Sequence, residues 1–355
     1  MAAAGRVIVV GSSNTDLVVP CGKLPRPGET VLGGDLLTFA GGKGANQAVG
    51  AARAGGRVLF IGAFGGDAFG AARRADLEKE GVDCRGCPIK KNVPSGVALI
   101  AIGDGSGRAK AENLIIVAPG ANAQLTPADV RKALPRDLSD RDVVLCSLEI
   151  PLESVGEALR AASQAGAVTI LNPAPYPAGG LPKAILKAAA AITPNETEFE
   201  AFAGAAAGQR ASAWMLGIMN EGTAHIIVTQ GAQGVTYHSP AYDMPRGSYE
   251  QPRKRRKGNA LLNQTGPGIE IRGPLGPPRV DTLRVPAPAV KPVDTVGAGD
   301  CFNGSLAAHL AAHHYDFEGA IRFAVCAAAL KVTRRGAQAG MPHRNEILKL
   351  VKRMK

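Results

Sequence analysis

At 355 residues, the chain is long enough to bury a large core, as one big α/β domain or two smaller ones. Its composition, 45% hydrophobic and 20% charged, is that of a soluble globular protein, and no apolar run reaches the roughly 20 residues a membrane span needs. The formal net charge of +11 would suit a polyanion if it covered one face, but between Ser239 and Lys291 ten Lys and Arg stand against four acids, a net +6, so over half of the excess sits in one segment and a nucleic-acid reading of the whole fold is weak.

The N-terminus has no basic region ahead of its apolar stretch, so an intracellular, cytoplasmic protein is expected. Six scattered cysteines fit free thiols in a reducing compartment. Cys84 and Cys87 form a CxxC, but neither a second CxxC nor a nearby pair of histidines completes a zinc set, so no such site is expected.

Val7 to Val10 is a short β-branched run that ends in GSSNTD, the pattern of a buried first strand feeding a polar loop. Open α/β sheets place ligands at strand C-termini, which makes Asn14 and Asp16 candidates for gripping a polar substrate, with an Asx turn as the alternative. Weak alternation around LPRPGE follows, and then FAGGKGANQAVGAARAG from Phe39 to Gly55. Gly41 and Gly42 let the backbone close on a ligand, while Lys43 and Asn46 offer a cation and an amide. The GxxxxGK followed by Ser or Thr of a nucleotide P-loop is absent. A helix is expected from about 45 to 54.

From Arg57 onward apolar segments alternate with helical ones. VLFIGAFG precedes a helix near 68–80. Two strands, 95–102 and 110–117, flank a Gly-rich turn. VVLCSLE, VTILNPAP, AAITPNETE and HIIVTQGAQG are each separated by helical stretches, near 152–165, 182–189 and on to 221. Strands alternating with helices mean βαβ units and a mostly parallel sheet, a doubly wound α/β fold. Glu149, Asn172, Asn195, Glu198, Thr229 and Gly231 close these strands and are expected to converge on one crevice.

Residues 242–284 break the pattern. Dense in Pro, Gly and like charge, they are expected to form a surface insertion within a domain spanning 5–350. Arg253 to Lys257 is a candidate nuclear-import or polyanion patch, or otherwise a solvated charge run.

The stretch DTVGAGDCFNG, Asp294 to Gly304, carries the chemistry. Gly297, Ala298 and Gly299 precede an apolar periodicity through Phe302, Leu306 and Leu310, which places a helix N-terminus here and Asp300 in its first turn. Unpaired first-turn amides bind anions. A carboxylate beside them suits phosphoryl transfer, taking a proton from an attacking hydroxyl while the amides stabilise charge. A tight turn with a helix cap is the alternative.

DTVGAGD with FNG, and the GGKGANQA block, resemble the two signatures of the phosphofructokinase-B-type carbohydrate kinases. VAPGAN, LNPAP, TPNETE and VTRRGAQ are similar to the branch that phosphorylates D-ribose at the expense of ATP. The resemblance spans nearly the whole chain. It implies that Asp300 is the base, that the Gly297–Gly299 amides form the anion hole, and that Asn14, Asp16, Gly41, Gly42, Lys43, Asn46 and Glu149 bind the sugar. It further implies that Asn195, Thr229 and Gly231 meet the nucleotide and that Glu198 holds Mg²⁺ through water. Asp294, Val296, Lys331, Arg334, Gly336 and Gly340 would ring a monovalent cation, potassium, although a serine is usual at the position of Gly340. The strands within 17–39 and 95–117 would make a β lid that covers the sugar and pairs two subunits into a homodimer.

Kinases for deoxyribose, another sugar or a nucleoside are the nearest alternatives. A basic non-catalytic regulatory protein on the same fold is the further one. The intact set of Asp16, Lys43, Glu149 and Asp300 argues against it, because a binding module needs no base.

Overall fold

The computed structural model describes residues 5–103, 113–204, 215–219, 222–241 and 279–354. The first strand, β1 (Arg6–Val10), is buried on both faces. Val7 and Val9 join one hydrophobic cluster and Ile8 and Val10 the other, as the period of two along a strand requires. Strand β1 pairs with β4 (Arg57–Ile61) on one side and with β9 (Val143–Cys146) on the other; β10 (Val168–Leu171), β11 (Ala191–Ile192) and β12 (His225–Thr229) continue the sheet in parallel beyond β9. Two antiparallel strands, β13 (Val235–Ala241) and β14 (Arg279–Val285), complete the order β14-β13-β12-β11-β10-β9-β1-β4.

Helices cover both faces, as the alternation predicts. On the Val7 and Val9 side lie α1 (Lys43–Arg53), α7 (Ala298–Ala312) and α8 (Phe317–Lys331), with α9 (Arg344–Arg353) against them. On the other lie α3 (Pro127–Ala133), α4 (Leu152–Gln164) and α5 (Lys183–Ala188). Helix α2 (Ala68–Lys79) follows β4, and α6 (Glu196–Ala203) follows β11.

The strands expected to form a lid make a separate sheet, β3-β2-β7-β8, formed by β2 (Asn14–Cys21), β3 (Leu37–Gly41), β7 (Gly96–Gly103) and β8 (Asn113–Ala118). The short β5 (Phe64–Gly65) and β6 (Ile89–Lys90) pair apart from both. Two expectations change here. Asn14 and Asp16 do not sit in a loop after β1: they open the lid strand β2, where Asn14 lies opposite Gly41 and Gly96, and Asp16 opposite Phe39 and Ala98. The last residues assigned to the insertion are strand, because Arg279–Val285 pairs antiparallel with Val235–Ala241; Leu283 and Val285, two apart on one face, are the signal that its Pro-rich surroundings hide. Residues 242–278, with the Arg253 to Lys257 run, lie outside the described residues. Among the described residues no helix is long and apolar enough to cross a membrane.

Candidate active site

Helix α7 begins at Gly297, whose φ of 75° places it in the left-handed region that suits glycine. The amide of Ala298 donates to Thr295 O at 3.2 Å, whereas those of Gly299 and Asp300 meet no protein acceptor among the described residues. The Ala298 amide expected in the anion hole is therefore already engaged, and the free N–H groups of Gly299 and Asp300 are the ones a helix end could turn toward an anion, with Asp300 8% exposed beside them.

Asp300 is reached by α1, which crosses α7 closely. A Cβ on Gly304 would lie 2.3 Å from Gln47 O and 2.7 Å from Ala51 N, so only glycine lets the helices meet at this distance. The crossing delivers two amides: Asn46 Nδ2 donates to Asp300 Oδ2 at 2.9 Å and Gln47 Nε2 to Oδ1 at 3.2 Å. Gln47 Nε2 also donates to Asn172 Oδ1 at 3.0 Å, and Asn172 Nδ2 to Thr193 O at 3.0 Å. Thr193 Oγ1 in turn donates to Asn303 Oδ1 at 2.6 Å, and Asn303 Nδ2 returns to Gly299 O at 2.9 Å. Burial raises the Asp300 carboxyl above the usual range, Glu149 adds to the rise, and Lys43 with the Asn46 and Gln47 bonds opposes it. A carboxylate so placed is a stronger base than one in water.

Glu149 ends the β9 connection. Its Oε2 accepts from Ser12 Oγ at 2.5 Å and from Lys43 N at 3.0 Å, so the first residue of α1 is tied to the end of the neighbouring strand. Burial lowers the Lys43 ammonium, but Asp300, Glu149 and Glu198 together raise it above its ordinary value. Asp16 completes the group. Burial first, then Glu149 and Asp300, push its carboxyl up to about 6, against Arg73. A Cβ on Gly41 would fall within 2.4 Å of the Asp16 carboxylate, which explains the glycine beside it. Asn14 is buried and its Oδ1 accepts from Asn122 Nδ2 at 2.7 Å. An open cleft of about 390 Å³ adjoins the group, with Glu149, Pro175 and the lid residue Val117 on its walls.

The nucleotide-side candidates form a second cluster. Asn195 caps α6: its Oδ1 accepts from Glu198 N at 2.8 Å, while Glu198 Oε2 accepts from Asn195 N at 2.9 Å, a capping box. Thr229 bridges to Asn195 in parallel register, with Thr229 N donating to Pro194 O at 2.9 Å, and Gly231 follows in a short turn with φ of 53°. Glu198 is raised by burial and by Asp300 and lowered by Lys43, so this cluster is electrostatically joined to the first.

At the other end of the anion turn, Asp294 Oδ1 accepts from Val296 N at 2.9 Å and Oδ2 from Gly336 N at 2.7 Å. Lys331, expected to offer its carbonyl to a cation, also brings its own ammonium here. Nζ is fully buried and donates to Asp294 O at 3.0 Å and Arg334 O at 3.5 Å. Cys84 and Cys87 are buried in the core.

The structure places Asp16, Lys43, Asn46 and Glu149 around Asp300 and Asn195, Glu198, Thr229 and Gly231 in a neighbouring cluster, while Lys331 brings an unexpected ammonium to the Asp294 end. Ser12, Gln47, Asn122, Thr193 and Asn303 are additions that sequence reading misses; each is a neutral polar residue next to a predicted one, and only its burial marks it. The model of the pfkB family of carbohydrate kinases matches residues 4–258 and 276–344. The ribokinase of Bacillus subtilis is 36% identical over 345 residues, covering 97% of this chain and 99% of its own. Among solved structures, ribokinase from Thermotoga maritima is 30% identical with a TM-score of 0.75, covering 98% of this chain and 99% of that one. Arabidopsis thaliana ribokinase complexed with ribose and ATP is 28% identical with a TM-score of 0.74, covering 99% of each. A buried carboxylate at an open helix end, on this fold and with these relatives, has one reading: the chain belongs to the pfkB family of carbohydrate kinases.

Proposed function

We propose that this ATP-dependent sugar kinase transfers the γ-phosphoryl group of ATP to the 5-hydroxyl of D-ribose. The observation that carries the reading is Asp300, buried and, among the described residues, held only by the neutral amides of Asn46 and Gln47 beside two unpaired N–H groups. In this reading Asp300 accepts the proton of the attacking hydroxyl, and the amides of Gly299 and Asp300 stabilise charge on the transferring group. Asp16, with Asn14 and the Gly41–Gly42 backbone, holds the sugar hydroxyls; Glu149 orients Lys43 and joins it at the sugar.

Among the described residues no group of three His, Cys, Asp or Glu could hold a metal directly. The fit is therefore for Mg²⁺ carried by the nucleotide, with Glu198 reaching it through water; its Oε1 has no protein donor among the described residues, since the capping bond uses Oε2. Bound there, Mg²⁺ would neutralise charge on the phosphates. Asn195, Thr229 and Gly231 line the nucleotide side. Potassium, the other cation the resemblance implies, does not fit, because the Lys331 ammonium stands among the oxygens that would bind it.

The lid supports a homodimer. Strand β8 is an edge, and its Leu114, Ile115, Ile116 and Val117 are between 43% and 57% exposed, an uncovered apolar row that pairing with a second copy would bury.

The test is ADP release by the full chain with Mg-ATP over D-ribose, 2-deoxyribose, fructose and adenosine. Turnover highest with ribose is expected. A clear preference for 2-deoxyribose would move the reading to a deoxyribose kinase, and no turnover with any acceptor would overturn it.

A further inference from the structure

We propose that the Lys331 ammonium is the resident monovalent cation of this protein, set among the oxygens beside the anion turn, so that its activity does not depend on added potassium. The inference deepens the kinase reading and rests on it for the meaning of the ring.

Lys331 is the last residue of α8, at the end of a helix where the backbone dipole favours a positive charge. Although lysine is seldom fully buried without partners, this one is 0% exposed, and its surroundings supply acceptors. Nζ donates to Asp294 O at 3.0 Å and to Arg334 O at 3.5 Å, and Asp294 Oδ2 lies 3.8 Å away. The ammonium thus donates to two carbonyls and has a carboxylate within ion-pair distance, partners suited to a cation. Asp294 and Arg334 are two of the residues expected to ring a potassium ion. A second cation among the same oxygens would meet Nζ at close range, and like charges in a poorly hydrated ring repel strongly.

Gly340 points the same way. A Cβ there would lie 2.8 Å from Gly336 O and 3.2 Å from Arg334 O, so the loop has closed over the space where the usual serine would offer its hydroxyl. The ring has lost a neutral ligand and gained a tethered charge. That tether acts on the chemistry through the backbone. Asp294 also accepts from Val296 N and Gly336 N, and Val296 leads directly into Gly297 and the amides of the anion turn. An ion drawn from solution orders such a turn only when bound, whereas a side-chain ammonium holds it at all times.

The experiment uses the full chain and two variants, Lys331→Ala, which empties the ring, and Lys331→Met, which keeps the stem and removes the charge. Turnover with Mg-ATP and D-ribose is followed at constant ionic strength while tetramethylammonium is replaced by potassium, and the melting temperature of each protein is recorded in the same buffers. Wild-type turnover and melting temperature should be unmoved by potassium. Lys331→Ala should lose turnover by about 5- to 150-fold without potassium, the usual span of a coupling between sites, and regain it with potassium or ammonium, its melting temperature rising in parallel. Lys331→Met should lose turnover and not be rescued.

Activation of the wild type many-fold by potassium would overturn the proposal, as would undiminished turnover of Lys331→Ala in tetramethylammonium. The wild-type comparison needs no variant to fold. If no sugar is phosphorylated under any condition, the kinase reading fails on its own, and the melting temperature still decides this question: a potassium-dependent rise in the wild type would sink the resident ammonium.

Discussion

Asp294 and Asp300 lie six residues apart on one turn, yet their surroundings are of opposite kinds. Both oxygens of Asp294 accept from backbone N–H groups, and a buried ammonium stands beside it. Among the described residues, Asp300 accepts only from the side-chain amides of Asn46 and Gln47, with the charge of Lys43 acting from outside its hydrogen-bond shell. A carboxylate fixed by backbone and a tethered charge holds structure. One held by neutral side chains, with burial raising its proton affinity, keeps its charge available for a reaction.

Removing the charge at each end sharpens the contrast. Asp300→Asn preserves the shape and can still pair with Asn46, so ribose binding measured by calorimetry should change little, while kcat should fall by about 10²- to 10⁴-fold, the usual contribution of a positioned base. Undiminished turnover would remove Asp300 from that role. Asp294→Asn should do the reverse. It strands a buried lysine, and breaking a buried pair costs about 3–5 kcal/mol, here reduced to about 2–3 because Asp294 is partly exposed. The loss should be read as a lowered urea midpoint, with a smaller effect on kcat than Asp300→Asn gives. Equal losses of kcat in the two variants would erase the distinction between them.

Much of this was legible in the chain itself, because the signals were local. The alternation of apolar strands with helices predicts the parallel sheet, and glycines before an aspartate and an apolar period predict the start of α7. The rest depends on segments far apart in sequence. Gln47 is an ordinary helical residue until Gly304, over 250 positions away, lets α7 approach and aims its amide at Asp300. Lys331 closes an apolar helix, and no local pattern says that its side chain turns back to Asp294. Asn14 and Asp16 read as a loop because GSSNTD is rich in turn formers; pairing with β3 and β7 overrides that preference and draws them into the lid.

The smallest expected effect lies at Asp16, where binding and stability pull in opposite directions. Its carboxyl titrates near 6 in the folded protein against an ordinary value of 3.8, chiefly because it is buried. Between those values the folded protein holds a proton that the unfolded chain has released, so the stability of the sugar-free protein should fall as pH rises from about 4 to about 6 and stay level above that. The full shift corresponds to roughly 3 kcal/mol, and partial exposure reduces the expectation to about 1–2. Asp16→Asn abolishes this cost, so the variant should be the more stable protein at pH 7.5 in urea and should lose that advantage near pH 4.5. Its KM for ribose should rise all the same, by about 5- to 150-fold, since an unmatched hydroxyl contact costs about 1–3 kcal/mol. In the wild type KM should rise only below about pH 6, as the carboxylate takes up its proton. A stability difference that does not vary with pH would show that Asp16 is ordinarily acidic, and the charge crowding among Asp16, Glu149 and Asp300 would then have to be relieved by Lys43 and Arg73 more fully than their placement suggests.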